Sequence, residues 1–219
     1  MRSTLESLSK QCAKGWRKFP ETYPSSFASI LEDGKNRRLR DVCFKIILFS
    51  IRPLSPEELY CAVHFHEHEW WTGYWDRGKI SQETITAFIK HASKGLAEVV
   101  RPFCFNEQPR VQFIHESVCD FLFGKGDNHK WLPATGNLEA DGHELLKNCC
   151  LSQLNSVDGQ FLQSITTNSS HIHSPKNNTR FYKLQKAIKS KYPFLHYEAE
   201  YLLNHANIAQ QYTSQRQFL

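Results

Sequence analysis

Apolar residues recur along most of this chain at helical spacing, and one short stretch alternates as a strand does. In Arg110 to Phe123, RVQFIHESVCDFLF, the side chains of Val111, Phe113 and His115 point one way, and Gln112 and Ile114 the other. The period then changes. Ile114, Val118, Phe121 and Leu122 fall on one helical face. Glu116 lies in the first turn of that helix, where a carboxylate suits the positive end of the dipole. The pattern therefore predicts a strand over 110–115 that runs directly into a buried helix, with His115 at the junction.

Upstream, Leu39, Val42, Cys43, Ile46 and Ile47 line one face of a helix that opens the segment 37–63. A second helix has a clear start: Ser55 as N-cap, Pro56 at the first helical position and Glu58 closing a capping box. Residues 64–80 read as a loop rich in His and Trp. Ser81 caps a third helix with Ile85, Phe88, Ile89, Ala92 and Leu96 facing inward. A strand over 97–105, the turn Asn106-Glu107-Gln108-Pro109 and the strand over 110–115 complete a hairpin. Three helices followed by a hairpin is the order of a winged helix.

The flanks are helical and looser. Leu5, Leu8, Cys12 and Trp16 space an amphipathic helix over 2–16, ended by the prolines of Phe19-Pro20 and Tyr23-Pro24. A short helix, Ser25 to Glu32, stops at Asp33-Gly34. Beyond Phe123, GKGDNHK is a polar linker. Asp141 opens a helix with a capping box through Glu144, its apolar side formed by Leu145, Leu146, Cys149, Cys150 and Leu154. Residues 155–178 are rich in Ser, Asn and His and read as a disordered insertion, and 191–210 as a final helix. The predicted organisation is mainly α with a small β-hairpin: a helical segment 1–36, a winged helix 37–124, a linker 125–140, a helical domain 141–210 and a tail 211–219.

Composition supports a folded chain. Among 219 residues, 40% are hydrophobic and 13% aromatic, which is enough to bury a core. The net charge of +5 is mild, and its one local run, Lys35 to Arg40, reads as the solvated start of a helix. Seven cysteines, an odd number, with several at apolar helical positions, fit reduced thiols in a cytoplasmic protein better than a disulfide frame. The N-terminus has no apolar signal core, and Phe44 to Ile51 is too short to span a bilayer. The expectation is no membrane contact.

Candidate chemistry is sparse. His64, His66 and His68 sit two apart and on an extended segment would share a side, as Zn²⁺ ligands must. No Cys or carboxylate at ligand spacing completes the set, so the reading is a polar loop; the same holds for His171 and His173. Trp70, Trp71, Tyr74 and Trp75 read as a lid on the core rather than a base-stacking platform. Cys119 lies one turn after His115 and reads as a small core residue rather than a nucleophile. No Gly-x-Ser-x-Gly elbow, His-Glu-x-x-His or Cys-x-x-Cys occurs, and no Gly-x-x-x-x-Gly-Lys-Ser/Thr phosphate cradle. The expectation is a protein that is not an enzyme and carries no cofactor. A DNA-binding winged helix is the alternative. Its groove face would present Thr86, Lys90, His91 and Lys94 beside Glu83 and Glu98, which is weakly basic for that task.

Three strings carry a resemblance. Phe113-Ile114-His115-Glu116 with Asp120-Phe121-Leu122 matches the end of the winged-helix domain in signalling NTPases with a NACHT or NB-ARC module, with Glu116 where many relatives have Asp. Arg52-Pro53-Leu54-Ser55-Pro56-Glu57-Glu58-Leu59 is similar to an Arg-Pro-Leu-Thr-x-x-Glu-Leu string in the fungal NACHT proteins that carry ankyrin repeats. Their winged helix is often labelled after a GPI inositol-deacylase. Tyr192-Pro193-Phe194-Leu195-His196-Tyr197 resembles the Tyr-Pro-Phe-Leu-x-Tyr-Ala string before those repeats, with Glu198 in place of a small residue. The resemblance spans most of 17–210. It implies a regulatory module that packs on a nucleotide site and couples it to a repeat sensor. In such relatives the histidine matching His115 senses bound ADP through its phosphate. Residues 1–36 resemble the end of the lid that follows the ATPase core. With neither that core nor repeats in this chain, it reads as a piece of such a receptor or a gene fragment. The implied partner is a NACHT ATPase module or repeat domain, in cis or in trans.

Overall fold

The computed structural model describes residues 31, 36–67, 79–101, 108–123, 132–134, 137–160, 163 and 185–211. The expected helices before residue 31, His68, the Trp cluster at 70–75, Asn106-Glu107, the 124–131 linker, His171 and His173, and the residues from 212 on lie outside them. The described chain is mainly helical, with a two-stranded antiparallel sheet. In order come α1 (Arg37–Phe49), α2 (Pro56–Glu67), α3 (Gln82–Ala92), β1 (Ala97–Val100), β2 (Arg110–Phe113), α4 (Glu116–Leu122), α5 (Leu138–Ser156) and α6 (Leu195–Ala209). Residues 185–191 are also helical. No described helix is long and apolar enough to cross a membrane.

Side-chain bonds set the helix starts. Ser55 and Glu58 form the expected reciprocal box at α2: Glu58 N–H donates to Ser55 Oγ at 3.2 Å, and Ser55 N–H donates to the Glu58 carboxylate at 2.8 Å. Ser81 caps α3 by accepting from Thr84 N–H. At α5 the expected start is corrected. Asn137 is the cap, its Oδ1 accepting from Glu139 and Ala140 N–H, so the helix begins at Leu138 and not at Asp141. Glu144 pairs with Lys147 at 2.6 Å instead of closing a box. The helix also runs through 155 and 156 to Ser156, into the expected insertion. The helix expected from 191 starts at Leu195, after a turn at 193–194.

α2 corrects the expected 64–80 loop at its front end, because the helix continues through Glu67. The strands are shorter than expected. β1 ends at Val100, and Arg101 is outside it; β2 ends at Phe113. Their register pairs Ala97 with Phe113 and Val99 with Val111. The far edge of β2 is tied to the α1–α2 loop, where Val111 N–H donates to the Leu54 carbonyl at 2.8 Å.

One buried cluster runs through the whole described chain. Phe44, Phe49, Leu59, Ile85, Ile89 and Phe113 from the first part continue into Leu146, Cys150, Phe194 and Tyr197. α5 packs on α1 and α2, and α6 packs on α5. Gly142 makes the α1–α5 contact possible: a Cβ there would overlap the Phe49 ring.

Several expected core positions move. Ile114 is 42% exposed and Leu154 44%, so neither belongs to the apolar face assigned to it. Leu39, Ile47 and Phe121 are half-buried. The Lys35–Arg40 run is not uniformly solvated. Arg40 is 1% exposed, its guanidinium donating to Asp41 Oδ1 at 2.7 and 3.0 Å and to the Leu31 carbonyl. Arg40 lies about 200° around the helix from exposed Arg38, so one basic run spans two environments.

Candidate functional site

His115 stands at the strand–helix corner as the sequence pattern expects. Its backbone is extended (φ −158°, ψ 150°), and it is the N-cap of α4. Imidazole Nδ1 accepts from Ser117 N–H at 3.0 Å, and the Ser117 hydroxyl lies 2.8 Å from the same nitrogen. Acceptance at Nδ1 puts the proton of a neutral ring on Nε2. The corner thus holds a half-buried imidazole in one tautomer. Hydrogen bonding of His115 to its local backbone, one of the roles open to such a residue, is present.

The other histidine candidates separate. His64 and His66 leave α2 roughly 200° apart, since they are two residues apart on a helix. His64 stacks on Tyr60 with centroids 3.9 Å apart, its Nδ1 2.8 Å from the Tyr60 carbonyl. Among the described residues no group of three or more His, Cys, Asp or Glu is placed to hold a metal ion. Cys43, Cys61, Cys119, Cys149 and Cys150 are buried and form no disulfide among the described residues. Burial pushes Cys43 and Cys149 up to about 12, and Cys61 and Cys150 upward as well, away from the thiolate a nucleophile needs. On α3, Glu83, Thr86, Lys90 and His91 are exposed; Lys94, just past its end, is half-buried, and Glu98 on β1 is exposed. That surface is not a basic stripe.

His66 lines a cleft of about 790 Å³ between α1 and α5. The α1 wall carries Arg37, Arg38 and Lys45, and the α5 wall Asp141 and Glu144. Burial lowers the pKa of His66. Burial raises that of Asp41, also in the lining, against the pull of Arg40. His115 is not among the described residues that line this cleft.

A second polar group lies inside the helical packing. Arg52, from the α1–α2 loop, makes a bidentate pair with Glu58 at 2.8 Å for both contacts. Its guanidinium carbon also lies 5.1 Å from the Tyr197 ring and 5.8 Å from the Tyr201 ring. The Tyr197 oxygen accepts from Ile51 N–H at 3.0 Å and lies 2.9 Å from His205 Nε2. His205 Nδ1 in turn lies 2.7 Å from His143 Nδ1. His143 and His205 are both buried, and burial lowers them to about 4 and about 3; for His205 the neighbouring His143 adds to the effect.

Sequence reasoning placed His205 on a helical face without a role and did not single out His143. A signal existed. His143, Leu146 and Cys150 follow the spacing of the apolar side of α5, as do Tyr197, Tyr201 and His205 on α6. A histidine at a core position on each of two packed helices is a cue to look for a buried pair.

No family model, no curated protein and no solved structure matched this chain.

Proposed function

We propose that this chain is a non-catalytic regulatory module of the kind found in NACHT-type signalling NTPases. In this reading residues 37–124 form a winged helix, and the hairpin-to-α4 corner meets the nucleotide site of an ATPase module. The observation that carries the reading is the state of His115. Ser117 N–H is received at Nδ1, which puts the proton of a neutral ring on Nε2, and in this reading a phosphate oxygen accepts from that Nε2–H when the ATPase module docks. Support comes from the three strings described above. The corner at His115, the Arg52–Glu58 clamp and the Tyr197 contact each fall within one of them. The continuous packing from α1 and α2 through α5 to α6 offers a mechanical route from that corner to whatever binds the helical part.

The test mixes the full chain with an ADP-loaded NACHT fragment and measures binding and ADP release. His115→Ala is expected to weaken binding and speed release. His115→Asn keeps a short N-cap acceptor while losing the reach of Nε2–H, and separates a nucleotide contact from a lost cap. Equal binding and equal release for all three chains would remove the nucleotide role.

A further inference from the structure

Glu198 follows Tyr197 on α6 and is fully buried, with neither carboxylate oxygen hydrogen-bonded. The same helix face carries the Tyr197–His205–His143 chain. We propose that α6 is held by a proton-gated latch. It docks on α5 and the α1–α2 loop only while His143 and His205 are both neutral and Glu198 keeps its proton.

The hydrogen-bond directions follow from one backbone group. Ile51 N–H donates into the Tyr197 oxygen, so the tyrosine O–H points at His205 Nε2. The proton of His205 is then on Nδ1 and donates to His143 Nδ1, which leaves the His143 proton on its own Nε2. Every link has one donor and one acceptor. A proton added to His143 at Nδ1 would face the N–H of His205 across 2.7 Å. One added to His205 at Nε2 would face the O–H of Tyr197, 2.9 Å away. The first breaks the link that ties α6 to α5; the second turns the Tyr197 O–H out of its contact within α6 and adds a charge to the buried face. Ionising Glu198 has the same effect by another cause, because it buries a charge with no donor to meet it.

Among the described residues the nearby charges are paired with each other: on α5, buried Lys147, one turn from His143, pairs with Glu144 at 2.6 Å. From the loop and α2, Arg52 and Glu58 neutralise each other beside Tyr197. From α5 come the Cys149 and Cys150 thiols, both raised by burial and uncharged near neutral pH. From α1 the neighbour of His143 is the Phe49 ring, with centroids 5.8 Å apart, while Arg37, Arg38, Asp41 and Lys45 line the cleft. On α6 itself Tyr201 packs on Tyr197.

The pH limbs have opposite signs. The histidines sit at about 4 and about 3 when docked, below the ordinary 6.5, so their contribution is complete above 6.5 and lost progressively as pH falls from 6.5 toward those values. Burial raises Glu198 from 4.5 to about 9, so its contribution is complete below 4.5 and lost as pH rises toward 9. Docking is therefore strongest between about pH 6 and 7, and weaker by roughly tenfold at both pH 5 and pH 8.

Hydrogen exchange on the full chain from pH 5 to 8, corrected for intrinsic rates, tests this. The amides of α6 and of Ile51 should show the maximum, while those of α3 should not follow it. In Glu198→Gln the alkaline fall should vanish and the acid fall from pH 8 to pH 5 should deepen to about a thousandfold, because the opposing carboxyl no longer offsets the histidines. In His143→Asn, whose amide oxygen can still accept from His205, the acid fall should shrink. Protection of α6 that is flat with pH in both the parent chain and Glu198→Gln overturns the latch. So does a parallel loss in α3, which would be unfolding of the whole domain. The ring tautomers give a second reading on the unmodified chain: ¹⁵N NMR at pH 7 should find His205 protonated at Nδ1 and His143 at Nε2. The reverse pattern, or an imidazolium at either ring, overturns the proposal.

Discussion

A charged side chain reads as surface in any hydropathy pattern, yet Arg40 is more deeply buried than Leu39 next to it. Its two bonds to Asp41 and one to the Leu31 carbonyl meet most of its donors, and that local pairing is what makes the burial tolerable. Removing it leaves the buried Asp41 carboxylate to the longer, 3.9 Å contact with Arg37. Arg40→Ala should cost about 3–5 kcal/mol in urea unfolding, against roughly half a kcal/mol or less for exposed Arg37→Ala. Glu198 is the opposite case, a buried carboxyl with no hydrogen-bond partner among the described residues, and no spacing rule marks it apart from an exposed glutamate. Since its contribution is lost as pH rises from 4.5 toward 9, Glu198→Gln should stabilise the chain by up to about 3 kcal/mol at pH 7 and hardly at all at pH 4.5, read as a rise in Tm. The sequence pattern put Phe121 and Ile114 in the core, but the helical turn points Val118 and Leu122 inward and leaves Phe121 half-covered. Phe113→Ala, at 2% exposure, should therefore cost about 3–5 kcal/mol and Phe121→Ala distinctly less, in the same denaturation experiment.

At the scale of elements, legibility followed the range of the interactions that make each one. Ser55 with Glu58 and Ser81 with Thr84 are contacts three residues apart, and both starts could be read directly. Asp141 and Glu144 have the same spacing, but Asn137 caps first, and a capping box cannot form once the helix has already begun. Asn137→Ala and Ser55→Ala should each cost about 1 kcal/mol by thermal unfolding. The extension of α2 to Glu67 depends on partners distant in sequence: Tyr60 and His64 stack together and against Phe88 of α3. Nothing in HFHEH as a string reports that neighbour, so the alternating histidines suggested an extended segment. The candidate site divides the same way. The His115 corner depends on Ser117, two residues on, and was legible; the His143–His205 pair joins residues 62 apart and was not.

For the molecule as a whole, α5 is the shared wall. Helical periodicity identified its apolar side but could not say that α1, α2 and α6 all lean on it. Phe49, Leu146 and Tyr197 belong to one cluster, so the first three helices lack part of their cover without the residues beyond 136. A chain ending at 136 should expose that face. It should bind a hydrophobic dye and unfold with a shallower denaturant slope per residue than the full chain. Gly142 sets how closely the wall can approach. Gly142→Ala would push into the fully buried Phe49 ring and should cost about 1–3 kcal/mol by overpacking, with the largest losses of exchange protection along α1 and α5.

Arg52 has a consequence for how this chain bears load. It grips the first turn of α2 through Glu58 and lies over two tyrosines of α6, while Leu54, two residues on, is stitched to β2. Tension applied along α6 would meet this rivet early. A tug at the tyrosines would be delivered to the base of α2 and the root of the hairpin together, and a single side chain would decide whether the two halves yield in sequence or in concert.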